Sequence, residues 1–445
     1  MDASRARKIL VLGAGPAGGA VALGLRRLGY SVCVVSEPRP FSAVEGISER
    51  VVEGLRNAGF EAALKTLPAP TPRRVHWNGV TSAANAERLV IRTEFDQGIL
   101  VDLERNGVEL VQGRICGSSR GDDGYRVDVE TTDGARTLHA GFLVEARGRA
   151  APGTGLERLR GPETLSLLQY WSGPAITPRT AVQSCADGWA WMAATADGRR
   201  YLQLTVDVAS AGLPPKEQLV EHCNSRLRAL EMAAPFIDGA EPTGELHART
   251  STPILCREPV GDDWIRVGDA AMAVDPLSGN GIFQSLSSAM QAPAVINTLL
   301  QQPQRARLAR AFHKARIEEL FFRFARIGRD FYAQEAAFAS EPFWQRRRDW
   351  PDQIPMHRTV KPQDVSIARR PVVENDLIRD AEVVVTPDQP LGVWHLQGLP
   401  LAPLLRALRN GTPGDHPEHL LAAALGDKKA LAPQLLTWIR RQGWI

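Results

Sequence analysis

Residues 8–37 read KILVLGAGPAGGAVALGLRRLGYSVCVVSE. Ile9 to Leu12 is an unbroken apolar run, the pattern of a parallel strand covered on both faces. Gly13, Gly15 and Gly18 follow with the G-x-G-x-x-G spacing. The first glycine permits a tight turn, the second lets backbone approach a pyrophosphate, and the third lets a helix pack close to the strand. Pro16 and Ala17 open that helix, whose unpaired N–H groups and positive dipole end face the phosphates. SVCVVS is a second apolar strand. Glu37 ends it, about 20 residues past the third glycine, where an acid meets ribose hydroxyls. This order predicts the start of a doubly wound α/β sheet. The acid favours an unphosphorylated adenosine ribose, as in FAD or NAD, over NADP.

The rest of the 445-residue chain suits an ordinary globular protein. Its length allows two or three domains. Hydrophobic residues make up 44% and charged residues 23%, both usual values. A formal charge of +3 gives no reason to expect nucleic acid or membrane as the main partner. Cys33, Cys116, Cys185, Cys223 and Cys256 are scattered and form no C-x-x-C pair. They argue against a disulfide framework and a zinc site, and for free thiols in a reducing compartment. The basic N-terminal segment precedes an apolar run as in a signal peptide. That run is short and ends in a glycine turn, so it reads as the first strand. No stretch approaches the roughly 18 apolar residues of a membrane span. A cytoplasmic protein without a metal site is expected.

A second stretch separates FAD from NAD. GDAAMAVDPLSGNGIFQSLSSA, residues 268–289, follows the short strand pattern WIRV. Asp269 is expected at the strand's C-terminal end, in the ligand crevice of such a sheet. Gly279 and Gly281 flank Asn280, offering bare backbone, and a helix from about Ile282 aims its N-terminus the same way. A flavin uses both features. Its ribityl hydroxyls and phosphates meet an acid and N–H groups. Its pyrimidine ring, anionic when reduced, is stabilised by a helix N-terminus. Asp269 and Asp275 also read as ordinary caps.

GDAAMAVDPLSGNGI resembles the second flavin motif of the FAD-dependent aromatic hydroxylase and flavin-dependent tryptophan halogenase superfamily. RTEFDQGILVDLERNGVELV (residues 92–111) is similar to its segment between the first two nucleotide-binding strands. GFLVEARGRAAPG (residues 141–153) is similar to its strand before a small-residue turn. The three occur in family order and cover residues 7 to about 290. The resemblance implies FAD, with its ADP half on Gly13, Gly15, Pro16, Ala17, Gly18 and Glu37, and with Arg92 among the cofactor-binding residues. Asp269 would hold the ribityl or pyrophosphate part. Pro276, Gly279, Asn280, Gly281 and Ile282 would lie against the isoalloxazine. It also implies monooxygenase chemistry, in which reduced FAD and O2 give a flavin hydroperoxide that an electron-rich ring attacks.

Three features bear on the branch. DGWAWMAATADGR (residues 187–199) resembles the halogenase motif G-W-x-W-x-I-P through Gly188, Trp189 and Trp191, without its isoleucine and proline. The same residues also read as a strand with alternating aromatics. Halogenases carry a lysine a few residues before a tryptophan. In TPRRVHWNG the matching position is Arg73, whose guanidinium stays protonated and is a poor nucleophile, which disfavours halogenation. Hydroxylases that bind NADPH usually show A-D-G where this chain has Ala146, Arg147 and Gly148. That points to a separate flavin reductase or other NAD(P)H donor. Arg73, His76, Trp77, Gln169, Trp189 and Trp191 are the candidate catalytic and pocket residues. A lone histidine such as His76 reads more often as a structural residue.

The expected fold is α/β: a FAD-binding, Rossmann-like doubly wound domain (1–165 and 251–300) with an antiparallel substrate-binding sheet (166–250). A helical segment (301–350), a proline- and charge-rich linker (351–375) and a small C-terminal module (376–445) follow. The module reads as winged-helix-like or partner-docking, or as a stabilising appendage. The halogenase-like body, the missing lysine and this module are together similar to the flavoprotein monooxygenases of tryptophylquinone cofactor biogenesis (quinohemoprotein amine dehydrogenase maturation type). Those hydroxylate a tryptophan within a protein. Hydroxylation of an aromatic ring, a peptide- or protein-borne tryptophan, is therefore the expected activity. A flavin halogenase, a FAD-dependent C=C reductase and a non-enzymatic flavoprotein assembly factor are the alternatives.

Overall fold

Lys8–Leu12 lies at the middle of a parallel five-stranded sheet. The order is Trp264–Arg266, Phe142–Glu145, Lys8–Leu12, Ser31–Ser36, Glu109–Gln112. The structure is a computed structural model that describes residues 8–153, 155–279, 281–412 and 414–445. Residues 9–12 and 32–35 are buried, as a strand covered on both faces requires. The helices Pro16–Arg27 and Arg92–Arg105 pack together beside this sheet. The opposite cover is a three-stranded antiparallel meander, Arg114–Gly121, Gly124–Thr131 and Gly134–Ala140. Tyr125, Val127 and Val129 alternate inward against Leu10, Leu12, Cys33 and Val35. The period of two in GYRVDVET, residues 124–131, makes this layer sheet rather than helix.

An eight-stranded sheet forms the second layer. Its order is Glu241–Thr250, Thr164–Ser172, Arg199–Asp207, Gly188–Ala194, Arg179–Cys185, Thr71–Trp77, Val80–Ile91, Val44–Ile47. Only the pairing of Arg179–Cys185 with Thr71–Trp77 is parallel. Three strands thus come from residues 44–91, well before the 166–250 stretch whose alternation announces the sheet. The helix Leu219–Arg228 and residues 230–240 cover one face, burying Leu167, Trp171, Met192, Leu202 and Leu204. Each such side chain contributes about 1.5–3 kcal/mol. The other face carries Leu168, Val182, Trp189, Trp191 and Tyr201.

The chain divides into two compact units. The sheets above belong to the first, which runs to Pro293 and resumes over Leu320–Ile354. The second comprises Ala294–Glu319 and Pro355–Ile445. It holds an antiparallel sheet of Ser366–Glu374, Leu377–Thr386 and Gln389–Val393, a short hairpin, and the helices Leu401–Arg409, Pro417–Leu425 and Ala432–Arg441. Val384, Leu401, Leu405, Leu421 and Leu436 form its core. Ser366–Glu374 lies wholly inside the stretch 351–375 read as linker. It is an edge strand, where Pro371 is tolerated. Among the described residues no helix is long and apolar enough to cross a membrane.

Candidate active site

A cleft of about 990 Å³ is lined by both the parallel and the eight-stranded sheet, at the upper end of small-molecule sites. Its nucleotide end follows from the first glycines. Gly13 has φ 108°, and a side chain there would meet the Ala146 carbonyl oxygen at 2.6 Å. A Cβ on Gly18 would sit 1.9 Å from the Gly13 oxygen, so this glycine seats the helix against the strand. It does not line the cleft, whereas Gly13, Gly15, Pro16 and Ala17 do. A Cβ on Gly15 would meet no protein atom within 4 Å, leaving backbone open to a ligand. Glu37, just past Ser31–Ser36, is also in the wall.

Arg92 lines the cleft where the helix Arg92–Arg105 begins. Its Nη1 donates to Glu45 Oε1 at 2.5 Å, and Nη2 and Nε donate to Asp96 Oδ1 at 2.8 and 3.1 Å. Asp96 also accepts from Arg39 Nε at 2.5 Å. Burial works against the Arg92 charge, but Glu45 and Asp96 outweigh it and raise its pKa.

The strand Trp264–Arg266 leads to a single 3-10 turn, Gly268–Ala270, that places Asp269 in the cleft. Ser285 Oγ donates to Asp269 Oδ1 at 3.1 Å, and Arg149 Nε lies 3.6 Å from Oδ2. Burial pushes the Asp269 carboxyl up, opposed by Arg149 and Ser285. Pro276, Gly279, Gly281 and Ile282 line the cleft beside it, where the helix Gly281–Ala289 starts. Gly279 has φ 60°, a left-handed conformation suited to glycine. Asn280 lies outside the described residues.

Asp275 is buried in the same wall. Its Oδ1 accepts from Leu277 N–H at 2.9 Å and from the Tyr332 hydroxyl at 2.8 Å. Trp189 Nε1 donates to that hydroxyl at 3.3 Å. Burial pushes both the Asp275 carboxyl and the Tyr332 phenol up, with Arg347 opposing.

Trp189 and Trp191, both on Gly188–Ala194, line the remaining part with Ser166, Leu168, Val182 and Gln203. Trp191 Nε1 donates to Glu87 Oε1 at 3.3 Å. Arg73 lines it too, with Nη1 3.6 Å from Glu87 Oε2. At the same end Phe41 stacks on His247 at 4.2 Å, and the Arg249 guanidinium lies 4.1 Å from the Phe41 ring centre.

Three residues expected in the pocket are not part of its lining. Strand parity explains two of them. On Thr71–Trp77, Arg73 points into the cleft, and His76 is on the other face with Nδ1 2.8 Å from Thr81 Oγ1. On Thr164–Ser172, Ser166 and Leu168 face the cleft, so Gln169 faces away, donating to the Val220 carbonyl at 3.0 Å. Trp77 shares the parity of Arg73 but lies farther along and packs edge-on to Trp344 at 5.2 Å. Glu87 and Tyr332 were not singled out from sequence. Glu87 sits in the polar run NAERL, and Tyr332 in a helix whose aromatic spacing reads as core.

These features fit FAD: open backbone at Gly15, an acid beyond each of two parallel strands, and a helix start beside a bare glycine turn. The FAD binding domain family matches residues 6–318. A solved peptidyl tryptophan dihydroxylase, QhpG, essential for tryptophylquinone cofactor biogenesis, is 53% identical. It covers 98% of this chain and 99% of its own, with a TM-score of 0.87. The flavin-dependent halogenase CmlS shares the fold at 16% identity, with a TM-score of 0.77 over 98% of this chain and 95% of its own. The tryptophan 2-halogenase of Chondromyces crocatus is 26% identical over 367 residues, 76% of this chain and 70% of that protein. Taken with the cleft, the match over residues 6–318 means that this chain belongs to the FAD binding domain family and is an FAD-dependent oxidoreductase of its monooxygenase type.

Proposed function

We propose that this flavoprotein hydroxylates a tryptophan side chain carried in a peptide or protein, as a step towards a quinone cofactor. The observation that carries the reading is 53% identity to a peptidyl tryptophan dihydroxylase over nearly the whole of both chains, the C-terminal unit included. Arginine at position 73, where halogenases carry their lysine, argues for hydroxylation over halogenation.

Bound and reduced, FAD supplies the activation of O2. The chain's own residues do the rest. The Gly13–Ala17 turn and Glu37 hold the nucleotide, and Asp269 with Ser285 meets the sugar-alcohol side. The start of Gly281–Ala289 offers N–H groups to the ring. Trp189, Trp191, Leu168 and Val182 make an apolar wall that excludes water and orients an aromatic substrate. Electrons come from a separate reductase or a reduced nicotinamide, and the five free cysteines suit a cytoplasmic location.

The test is a single turnover. The flavin is reduced anaerobically, a tryptophan-containing peptide is added, O2 is admitted, and the peptide is read by mass spectrometry. Gain of oxygen only when O2 is present is expected. Halogen incorporation when halide is supplied, or hydrogen gain without O2, would replace this reading with the halogenase or the reductase.

A further inference from the structure

Acids in the cleft wall fall into groups. Glu45 and Asp96 pair with Arg92, and Glu37 lies just past the strand Ser31–Ser36. Asp269 lies on the Gly268–Ala270 turn and Asp275 just before the glycine turn. Glu87, on Val80–Ile91, stands apart from these, against Trp191 and Arg73. It is 6% exposed. A carboxylate that buried is tolerated when charge pairing and hydrogen bonds replace its water. An ionised carboxylate offers about four lone-pair sites. Among the described residues Glu87 has one hydrogen bond, from Trp191 to Oε1, and Arg73 at 3.6 Å from Oε2. Arg73 is under-used as well, its buried Nε having no partner among the described residues.

Two further facts locate the pair. A Cβ on Gly46 would lie 1.9 Å from Glu87 Oε2, so the carboxylate stands where any other residue at 46 would place its side chain. A Cβ on Gly279 would lie 4.0 Å from Arg73 Nη1, which sets the guanidinium beside the turn expected to meet the flavin ring. Trp191 already demonstrates that an indole N–H can reach this carboxylate.

We propose that Glu87 Oε2 is the acceptor for the ring N–H of the aromatic substrate, with Arg73 and Trp191 holding the carboxylate in place. This rests on the tryptophan reading above. It makes Glu87 a specificity residue: a ring bearing an N–H is accepted, and one that is N-methylated is discriminated against.

The probes are indole and 1-methylindole, titrated into the FAD-loaded full chain and read by perturbation of the flavin absorbance. A hydrogen bond to a charged acceptor predicts at least about a 10-fold preference for indole. Glu87→Gln should bring the preference below about 3-fold while FAD content and the thermal midpoint stay as in the parent. Trp191→Phe keeps the acid but removes the N–H that holds Oε1, so the preference should narrow without vanishing. Equal affinity for the two indoles, no binding of indole, or an unchanged preference in Glu87→Gln overturns the proposal. The peptide turnover experiment is scored separately. Discrimination without peptide oxygenation would leave the acceptor standing and remove the hydroxylase reading. Oxygenation without discrimination would do the reverse.

Discussion

The Tyr332 hydroxyl donates to Asp275 Oδ1 at 2.8 Å in the wall of the cleft, and it accepts from Trp189 Nε1 at 3.3 Å. One buried phenol thus joins the acid before the glycine turn to the aromatic wall of the substrate sheet. Its ring packs edge-on to Phe343 and Trp344 at 5.6 and 5.8 Å. Tyr332→Phe keeps that packing and deletes only the hydroxyl. It leaves the Trp189 N–H without its acceptor and removes a donor from Asp275. Buried groups stripped of a partner cost about 1–3 kcal/mol. Urea unfolding of the variant should show that loss with an unchanged slope. A midpoint equal to the parent's would mean that the chain of bonds contributes nothing to the fold.

Asp275 also predicts a pH dependence. Burial disfavours its ionised form, against the opposing pull of Arg347, so its native pKa is raised. Between the unfolded value, about 4, and the raised native value, the folded chain keeps a proton that the unfolded chain releases. Stability therefore falls as pH rises through that window. Below the window the contribution is present in full, and above it the contribution is gone. Asp275→Asn keeps an oxygen for the Leu277 N–H and the Tyr332 hydroxyl but does not titrate. Its stability profile should fall less steeply than the parent's just above pH 4. Parallel profiles in unfolding series from pH 4 to 7 would contradict the assignment.

How much of this was legible follows from what each signal depends on. The Gly13–Gly18 turn and the Asp269 segment were readable because each needs residue types at short, fixed spacing. Cleft-facing parity was not. His76 lies three residues from Arg73 and Gln169 one from Leu168, and any odd offset along a strand moves a side chain to the other face. Glu87 escaped notice because its partners Trp191 and Arg73 are set by long-range pairing of strands. The strand Ser366–Glu374 was hidden by Pro371 and its charges. A local signal was present there nonetheless. Asn375 and Asp376 both have positive φ, 50° and 58°, as the tight hairpin to Leu377–Thr386 needs.

Arg92 tests the electrostatics of the nucleotide end. It is 5% exposed and pairs with Glu45 and Asp96. Arg92→Ala leaves Glu45 without its cation and Asp96 with Arg39 alone. Both carboxylates keep some contact with water, so the loss should be about 1–3 kcal/mol. Arg92→Lys keeps the charge but cannot reproduce the forked contacts to two acids. It should fall between the parent and the alanine variant in thermal midpoint and in FAD retention on gel filtration. A lysine variant indistinguishable from the parent would show that charge alone suffices.

Two glycines three residues apart separate folding from ligand approach. A Cβ at Gly18 would stand 1.9 Å from the Gly13 carbonyl oxygen, well inside van der Waals contact, and both atoms are tied to backbone. Gly18→Ala must therefore push the helix Pro16–Arg27 off the strand Lys8–Leu12. The apoprotein should lose stability by more than the roughly 1–3 kcal/mol typical of core overpacking, and FAD binding should go with it. A Cβ at Gly15 would meet no protein atom within 4 Å. Gly15→Ala should leave the melting temperature of the apoprotein unchanged. Its methyl group would, however, stand in the cleft where backbone N–H groups are to meet a pyrophosphate. FAD affinity should fall by at least about 10-fold, equivalent to about 1.4 kcal/mol, read by equilibrium dialysis. An apoprotein of parental stability that binds FAD with parental affinity after Gly15→Ala would remove the pyrophosphate from this turn.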